Sequence, residues 1–309
     1  MKIRAERSGF HCFDRCSGTH ILLDEVVPKP DALSIAPRTL SMALLNICDL
    51  NCHFCYRPKT KDILPTEFVK RVAVAADELD ALEITFGGGE PLLYPDIAAL
   101  CEWIWTNTSL GISLTTHGHH LRSDLIRRLA GRISSIRFSI DGTEPYYSKI
   151  RGRPLAKLLE KIQALDGAIP FGVNVVVSSG HVTQLRQVAD LAISLGAYDL
   201  LIIPEHHGGK IDLAEHEWNE IDKFIAEYSS RCRLSATHGA CAHLTAKFLE
   251  TEHDDEFVFA HVSADRKLKP NSYAPDGIPI HDAGRMREYL ALLRQTEGQS
   301  DEGMAGVLE

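Results

Sequence analysis

Between residues 40 and 228 the chain alternates six short β-rich runs with six amphipathic helical runs, and this rhythm constrains the fold more than any single residue. Residues 40–47, 82–86, 112–116, 133–140, 171–177 and 200–203 read as strands. Residues 66–79, 96–107, 123–130, 155–165, 182–195 and 212–228 read as helices. In the first helix Val69, Val72, Ala73 and Ala76 form one apolar stripe behind Thr66 as cap. Ser123 stands where the third helix needs an N-cap, and Gly196 where the fifth must end. Strands that alternate with helices imply a parallel sheet joined by right-handed crossovers. Periodicity leaves two architectures open, a doubly wound sheet and a partial barrel. In both, function sits at the C-terminal ends of the strands.

The flanks break the rhythm. Residues 10–27 carry apolar-rich runs on either side of Ser17-Gly18 and read as a β-hairpin. Beyond residue 231 the alternation stops. Residues 257–262 and 267–269 read as a second hairpin, 284–294 as a last helix, and 296–309 as a frayed polar tail. The expected organisation is an N-terminal segment 1–36, a core 37–230, an extension 231–295 and a flexible tail 296–309. The length of 309 residues suits one α/β barrel or two smaller domains. A formal net charge of -9 argues against a nucleic-acid partner. No apolar run is long enough for a membrane helix, and residues 1–8 lack the apolar region of a signal peptide. A cytoplasmic chain is expected.

In that setting, clustered cysteines point to metal before disulfides. Three of the eight cysteines fall in Cys48-Asp49-Leu50-Asn51-Cys52-His53-Phe54-Cys55-Tyr56, directly after the first strand. A cubane cluster has four irons, so three thiolates leave one iron open to a substrate or cofactor. The competing reading is zinc, with Cys52-x2-Cys55 as half a site and His53 nearby. Spacing alone leaves both standing. The neighbours add a resemblance: Cys-x3-Cys-x2-Cys with an aromatic before the last cysteine is similar to the radical S-adenosylmethionine (SAM) superfamily signature. That resemblance implies a [4Fe-4S] cluster on Cys48, Cys52 and Cys55, with SAM chelating the open iron. It further implies reductive cleavage of SAM to methionine and a 5′-deoxyadenosyl radical. Phe54 takes the aromatic position near the adenine.

Further motifs follow in the family's order. Gly87-Gly88-Gly89-Glu90-Pro91, after the second strand, resembles the GGEP motif. Glycines permit close backbone approach, and Glu90 can accept hydrogen bonds from the methionyl ammonium. Thr115-Thr116-His117-Gly118 resembles the TNG turn with His117 in place of asparagine, so the weight falls on Thr116. Ser139-Ile140-Asp141-Gly142 resembles the SxDG segment, although Asp141-Gly142 also reads as a plain turn. Arg151-Gly152 is similar to a pair whose arginine binds the SAM carboxylate, a task that suits a planar guanidinium. Asn174 matches a ribose-contacting position. Ile203 matches an apolar residue on the adenine, with core packing as its plainer reading. The resemblance runs from 40 to 204 and implies an α/β fold built as a partial (β/α)6 TIM barrel, with an N-terminal β-hairpin and a small C-terminal α+β extension.

The C-terminal extension loosely resembles the SPASM or twitch region of peptide-modifying members of the family. Arg266 stands where that hairpin has glycine, and Asn271 where it has a ligand cysteine, which implies a lost or incomplete auxiliary cluster. Cys12, Cys16, Cys232 and Cys241 have the count for a second iron–sulfur cluster, or are packing thiols. Cys232 and Cys241 are also candidate hydrogen-atom donors by their place after the barrel. Cys101, beside Trp103 and Trp105, reads as core. His206-His207-Gly208-Gly209 reads as a polar loop at the cleft, and Asp254-Asp255-Glu256 as a solvated loop. The expected function is a radical SAM enzyme of oxidoreductase or lyase type. Its expected substrate is a ribosomally made peptide that undergoes crosslinking, epimerisation or related C–H activation. The alternative is a small molecule of cofactor, nucleoside or sugar biosynthesis; a non-enzymatic metal-binding module is the remaining reading. The expected electron donor is a flavodoxin or ferredoxin, and neither membrane nor nucleic acid is an expected partner.

Overall fold

The structure, a computed structural model, describes residues 1–207, 210–246 and 257–302. The strands in chain order are β1 (Lys2–Glu6), β2 (Gly9–Asp14), β3 (Thr19–Leu23), β4 (Thr39–Leu45), β5 (Glu83–Gly88), β6 (Gly111–Thr116), β7 (Ser135–Ser139), β8 (Phe171–Val177), β9 (Asp199–Pro204), β10 (His206–His207), β11 (Lys210–Ile211), β12 (Arg233–Ala236), β13 (Phe259–Val262), β14 (Lys267–Lys269) and β15 (Ile278–Pro279). The helices are α1 (Thr66–Glu78), α2 (Ile97–Asn107), α3 (Ser123–Leu129), α4 (Tyr146–Arg151), α5 (Leu155–Gln163), α6 (Gln184–Leu195), α7 (Glu215–Tyr228), α8 (His238–Cys241) and α9 (Met286–Glu302). The six expected strands are β4 to β9, and each is followed by an expected helix. Among the described residues no helix is long and apolar enough to cross a membrane.

The chain divides into two compact units. The first holds residues 1–47, 59–112 and the described residues from 257 onward. Here β4 pairs in parallel with β5 on one side and β13 on the other. Leu40, Met42, Leu44 and Leu45 of β4 are all buried, which is why the strand reads as a near-continuous apolar run. The stripe expected on α1 is buried, joined by Phe68. Its N-cap, however, is Pro65, and Thr66 is the first helical residue. The Tyr94 hydroxyl donates to the Leu64 carbonyl (2.7 Å), so Thr66 Oγ1, 3.2 Å away, donates to Tyr94 instead of capping. The N-terminal hairpin turns at Ser17-Gly18 as read, but β1 makes it a three-stranded antiparallel sheet. The second hairpin forms from β13 and β14. Helix α9 runs past Arg294 to Glu302, farther than the expected tail allowed.

The second unit holds residues 48–58 and the described residues of 113–246. Its five strands β12-β9-β8-β7-β6, in that order, are parallel, and β10 and β11 form a two-stranded antiparallel pair. Strand β12 extends the alternation beyond residue 231, where the rhythm was read to stop. Its four residues are exposed or half-buried, so no apolar run announces them. Helix α3 starts with Arg122 as N-cap and Ser123 inside the first turn, so Ser123 is not the cap. Gly196 ends α6 with φ +80°, as its position foretold. Arg137 bonds Asn174 Oδ1 (2.6 Å) and pairs with Asp199 (2.9 Å). A side chain on Gly172 would collide with that pair, which fixes glycine there. Gly208, Gly209, the Asp254–Glu256 stretch and residues 303–309 of the expected tail lie outside the described residues.

Candidate functional site

The cysteine loop lies in the second unit, at residues 48–58. Leu50, Cys52 and Ile150 form a small apolar nucleus, with Cys48, Phe54, Cys55 and Tyr146 packed against it. The three thiols therefore sit on one loop at this nucleus, Cys52 within it and Cys48 and Cys55 against it, and none is in a disulfide. Local hydrogen bonds shape the loop. The Leu50 N–H donates to Cys48 Sγ (3.4 Å), the Cys55 N–H to the Cys52 carbonyl (3.2 Å), and Arg57 to the Leu50 carbonyl (3.2 Å). Cys52 is 7% exposed, and burial pushes its thiol up, opposed by the Arg151 guanidinium beside it. Three thiols with a neighbouring fixed cation form a donor set that fits an anionic iron–sulfur cluster. His53 does not complete a zinc site with them. Its ring faces Glu205, with Nε2 3.7 Å from Oε1.

Arg151 organises this side of the unit. Its Nε and Nη2 each lie 2.6 Å from Asp141 Oδ2, and its guanidinium sits 5.4 Å from the Phe54 ring centroid. Asp141 Oδ1 accepts the Val176 N–H (3.0 Å). Gly142 must be glycine, because a Cβ would meet the Tyr146 ring and Gln184. Thr116 Oγ1 accepts the Gly118 N–H (2.9 Å), where φ is +79° and a side chain would strike Phe138 and Leu158. Ser139 and Asn174 are register partners on β7 and β8. Ile203, half-buried on β9, lies opposite Val176. The second unit thus holds Thr116, Ser139, Asp141 and Ile203 at or just past strand ends, Asn174 within β8, Phe54 on the cysteine loop and Arg151 at the end of α4. Gly88, Gly89 and Glu90 belong to the first unit. There a side chain on Gly88 would strike the Leu45 carbonyl, and one on Gly89 the Ile47 carbonyl. These glycines permit close packing on the segment that leads into the cysteine loop. Glu90 is fully buried, and its Oε1 accepts the Leu92 N–H (3.0 Å).

Of the four cysteines considered for a second cluster, Cys12 and Cys16 belong to the first unit and Cys232 and Cys241 to the second. Cys12 is buried in β2, and Cys16 is exposed in the turn after it. Cys232 Sγ lies 3.9 Å from the Tyr228 carbonyl, and Cys241 Sγ 3.9 Å from the Ala236 carbonyl. Asn271, at the ligand-cysteine position of the resembled hairpin, is a turn former whose Oδ1 accepts the Tyr273 and Ala274 N–H groups (2.9 Å each). Among the described residues, the grouping of three candidate metal ligands within reach of one another is Cys48, Asp49 and His117.

Sequence reasoning missed two clusters. Asp49 gathers His117, His120 and Arg153. Hydrogen bonds from the two histidines outweigh burial and hold its carboxyl at about 2. Burial pushes His117 and His119 down to about 4, with Asp49 opposing in both cases. Buried Glu205 lies 3.0 Å from His207 Nε2. Asp49 could have been suspected only from its place between Cys48 and Cys52; Glu205 carried no signal beyond following a strand.

The radical SAM superfamily profile matches residues 42–192. Over 221 residues the chain is 28% identical to the AdoMet-dependent heme synthase of Methanosarcina barkeri, covering 67% of this chain and 63% of that protein. Over 172 residues it is 30% identical to the PqqA peptide cyclase of Streptomyces rochei, covering 52% of this chain and 46% of that protein. The chain thus spans less than two thirds of either relative. Among solved structures, Streptococcus suis SuiB bound to S-adenosylmethionine superposes with a TM-score of 0.68 at 14% identity, over 88% of this chain and 81% of that one. At that identity the likeness speaks for the fold, an α/β architecture with a parallel sheet.

Proposed function

From the premise that residues 42–192 form a radical SAM superfamily domain, we propose that this chain is an enzyme whose Cys48, Cys52 and Cys55 hold a [4Fe-4S] cluster. With SAM bound, that cluster supplies a 5′-deoxyadenosyl radical able to take hydrogen from a substrate. The observation that carries the reading is the loop itself, with three thiols packed at one apolar nucleus beside the Arg151 cation. Arg151 offsets the charge of the thiolates, and Asp141 keeps its guanidinium in place. Glu90, Gly88 and Gly89 serve the methionyl end of SAM; Thr116, Ser139, Asp141 and Asn174 serve its polar groups; Phe54 and Ile203 serve the adenine. The catalytic core is residues 37–230, and segments 1–36 and 231–295 select the substrate.

The substrate class is a peptide undergoing maturation. The peptide cyclase relative and the likeness to SuiB, also solved with its precursor peptide SuiA, support it. The heme synthase relative, matched over more of the chain, supports a small-molecule substrate as the second reading. A flavodoxin- or ferredoxin-type donor in the cytoplasm would supply the electron. Anaerobic reconstitution with iron and sulfide, followed by dithionite and SAM, should yield 5′-deoxyadenosine. The Cys48→Ala/Cys52→Ala/Cys55→Ala variant should yield none. Zinc as the only bound metal, without SAM cleavage, would overturn the proposal. Iron beyond four atoms per chain would reveal a second cluster, to be sought at Cys12, Cys16, Cys232 and Cys241. Unchanged product from Cys232→Ala and Cys241→Ala would exclude them as hydrogen donors. Binding of candidate precursor peptides, measured against small metabolites, separates the two substrate classes.

A further inference from the structure

His117 occupies the position where the resembled turn has asparagine, and its surroundings show what it does there. The ring is buried, and its Nδ1 accepts the backbone N–H of His119 (3.1 Å). A neutral imidazole has one lone-pair nitrogen and one N–H. With Nδ1 accepting, the proton is on Nε2, which donates to Asp49 Oδ1 (3.0 Å). This tautomer also argues against metal at His117, despite its closeness to Cys48, because Nε2 has no lone pair to give. An asparagine side chain offers the same pair of functions, an amide N–H to donate and a carbonyl oxygen to accept. Asp49 is the residue after Cys48. Its other oxygen accepts a hydrogen bond from Arg153, and His120 Nε2 lies 3.1 Å from it at ion-pair distance. One donor of this turn, His117, and one from beyond α4, Arg153, thus converge on a single carboxylate inside the cysteine motif, with His120 beside them.

We propose that Asp49 is a positioning residue that sets the cysteine loop before any cluster binds, and that His117 holds it as a fixed-tautomer substitute for asparagine. The consequence for the cluster rests on the radical SAM reading; the anchoring of the loop does not. The test compares wild type with His117→Asn, His117→Ala and Asp49→Asn, each first checked for native circular dichroism. In the metal-free chain, amide hydrogen exchange over residues 48–55 should rise about ten-fold or more in His117→Ala and Asp49→Asn, as expected for loss of a charge-assisted hydrogen bond. His117→Asn should stay at the wild-type rate. In reconstituted protein, the midpoint potential and the reduced-cluster electron paramagnetic resonance signal with SAM should shift in His117→Ala and return in His117→Asn. If His117→Ala does not fold, Asp49→Asn, whose carboxylate is partly exposed, carries the exchange measurement. Wild-type exchange in the folded alanine or Asp49 variant, or failure of asparagine to rescue, overturns the proposal. If wild type takes up no cluster, the radical SAM reading fails while the exchange arm still judges the anchor.

Discussion

Arg151 and Asp141 show how a single pair decides the character of the cysteine loop. Their side chains are 10% and 1% exposed, so each has exchanged water for the other. Removing one partner strands the second as a buried charge, which costs about 3–5 kcal/mol. Arg151→Met should therefore lower unfolding stability by that amount in a urea titration. In the Asp141→Asn background the same change should cost far less, because no charge is left unpaired; equal losses in both backgrounds would show that the pair is not coupled. Gly89 makes a second argument at this scale. Its missing Cβ lets the chain pass close to the Ile47 carbonyl, while its N–H donates to Leu45 O (2.6 Å). Gly89→Ala should destabilise the fold by roughly 1–3 kcal/mol, since backbone atoms, not a flexible side chain, must give way. A thermal melt reads that loss directly. The cysteine spacing and the glycine run were legible because they are local. The partners of Asp49 were not: His117 is 68 residues away and Arg153 is 104, and nothing in the chain between them marks the meeting.

Elements follow the same division between local and distant causes. Helix α1 and strand β4 were readable because their apolar residues keep the period of their own structure. Strands β1 and β12 and helix α4 were not, being short and held mainly by neighbours. Strand β1 is instructive, because an ionic cluster adds to its ladder with β2. Glu6, wholly buried, lies 2.7 Å from Arg4 Nε and 2.5 Å from Arg38 Nη2, with His11 at 3.6 Å. Burial alone would push the Glu6 carboxyl up, but hydrogen bonds from His11 and Arg38 and the two guanidinium charges prevail and hold it at about 2. The unfolded chain takes up that proton nearer 4.5, so the stabilisation is complete above 4.5 and is lost as pH falls toward 2. The shift corresponds to about 3 kcal/mol. Glu6→Gln should therefore be most destabilising near pH 7 and should approach wild type at pH 2. A constant difference across that range would show that Glu6 is not the titrating group.

For the molecule as a whole, the alternation of strands and helices made the α/β class legible. The division into two compact units was not, because it cuts across β6 and joins segments far apart in the chain. Each unit nevertheless carries a buried histidine held at about 4, His261 in the first and His117 in the second, and this gives the whole chain a common response to acid. His261 in the first unit sits against Ser41 Oγ (3.1 Å), and His117 in the second against Asp49. Burial is the main cause that pushes both down to about 4; the Lys269 charge adds to it at His261, and Asp49 opposes it at His117. Both rings are neutral when folded at pH 6, whereas in the unfolded chain they protonate around 6.5. The unfolded state thus binds more protons between pH 6.5 and 4, and stability must fall through that window as pH is lowered. Each ring can contribute about 3 kcal/mol to the loss. Urea unfolding of the wild type should weaken from pH 6.5 downward, ahead of the Glu6 transition. His117→Asn keeps the hydrogen bonds without the titration and should remove the share of His117, leaving that of His119, whose ring is also held at about 4. His261→Leu should remove that of the first. If both variants keep the full wild-type slope between pH 6.5 and 4, the buried histidines are not what makes the fold acid-sensitive.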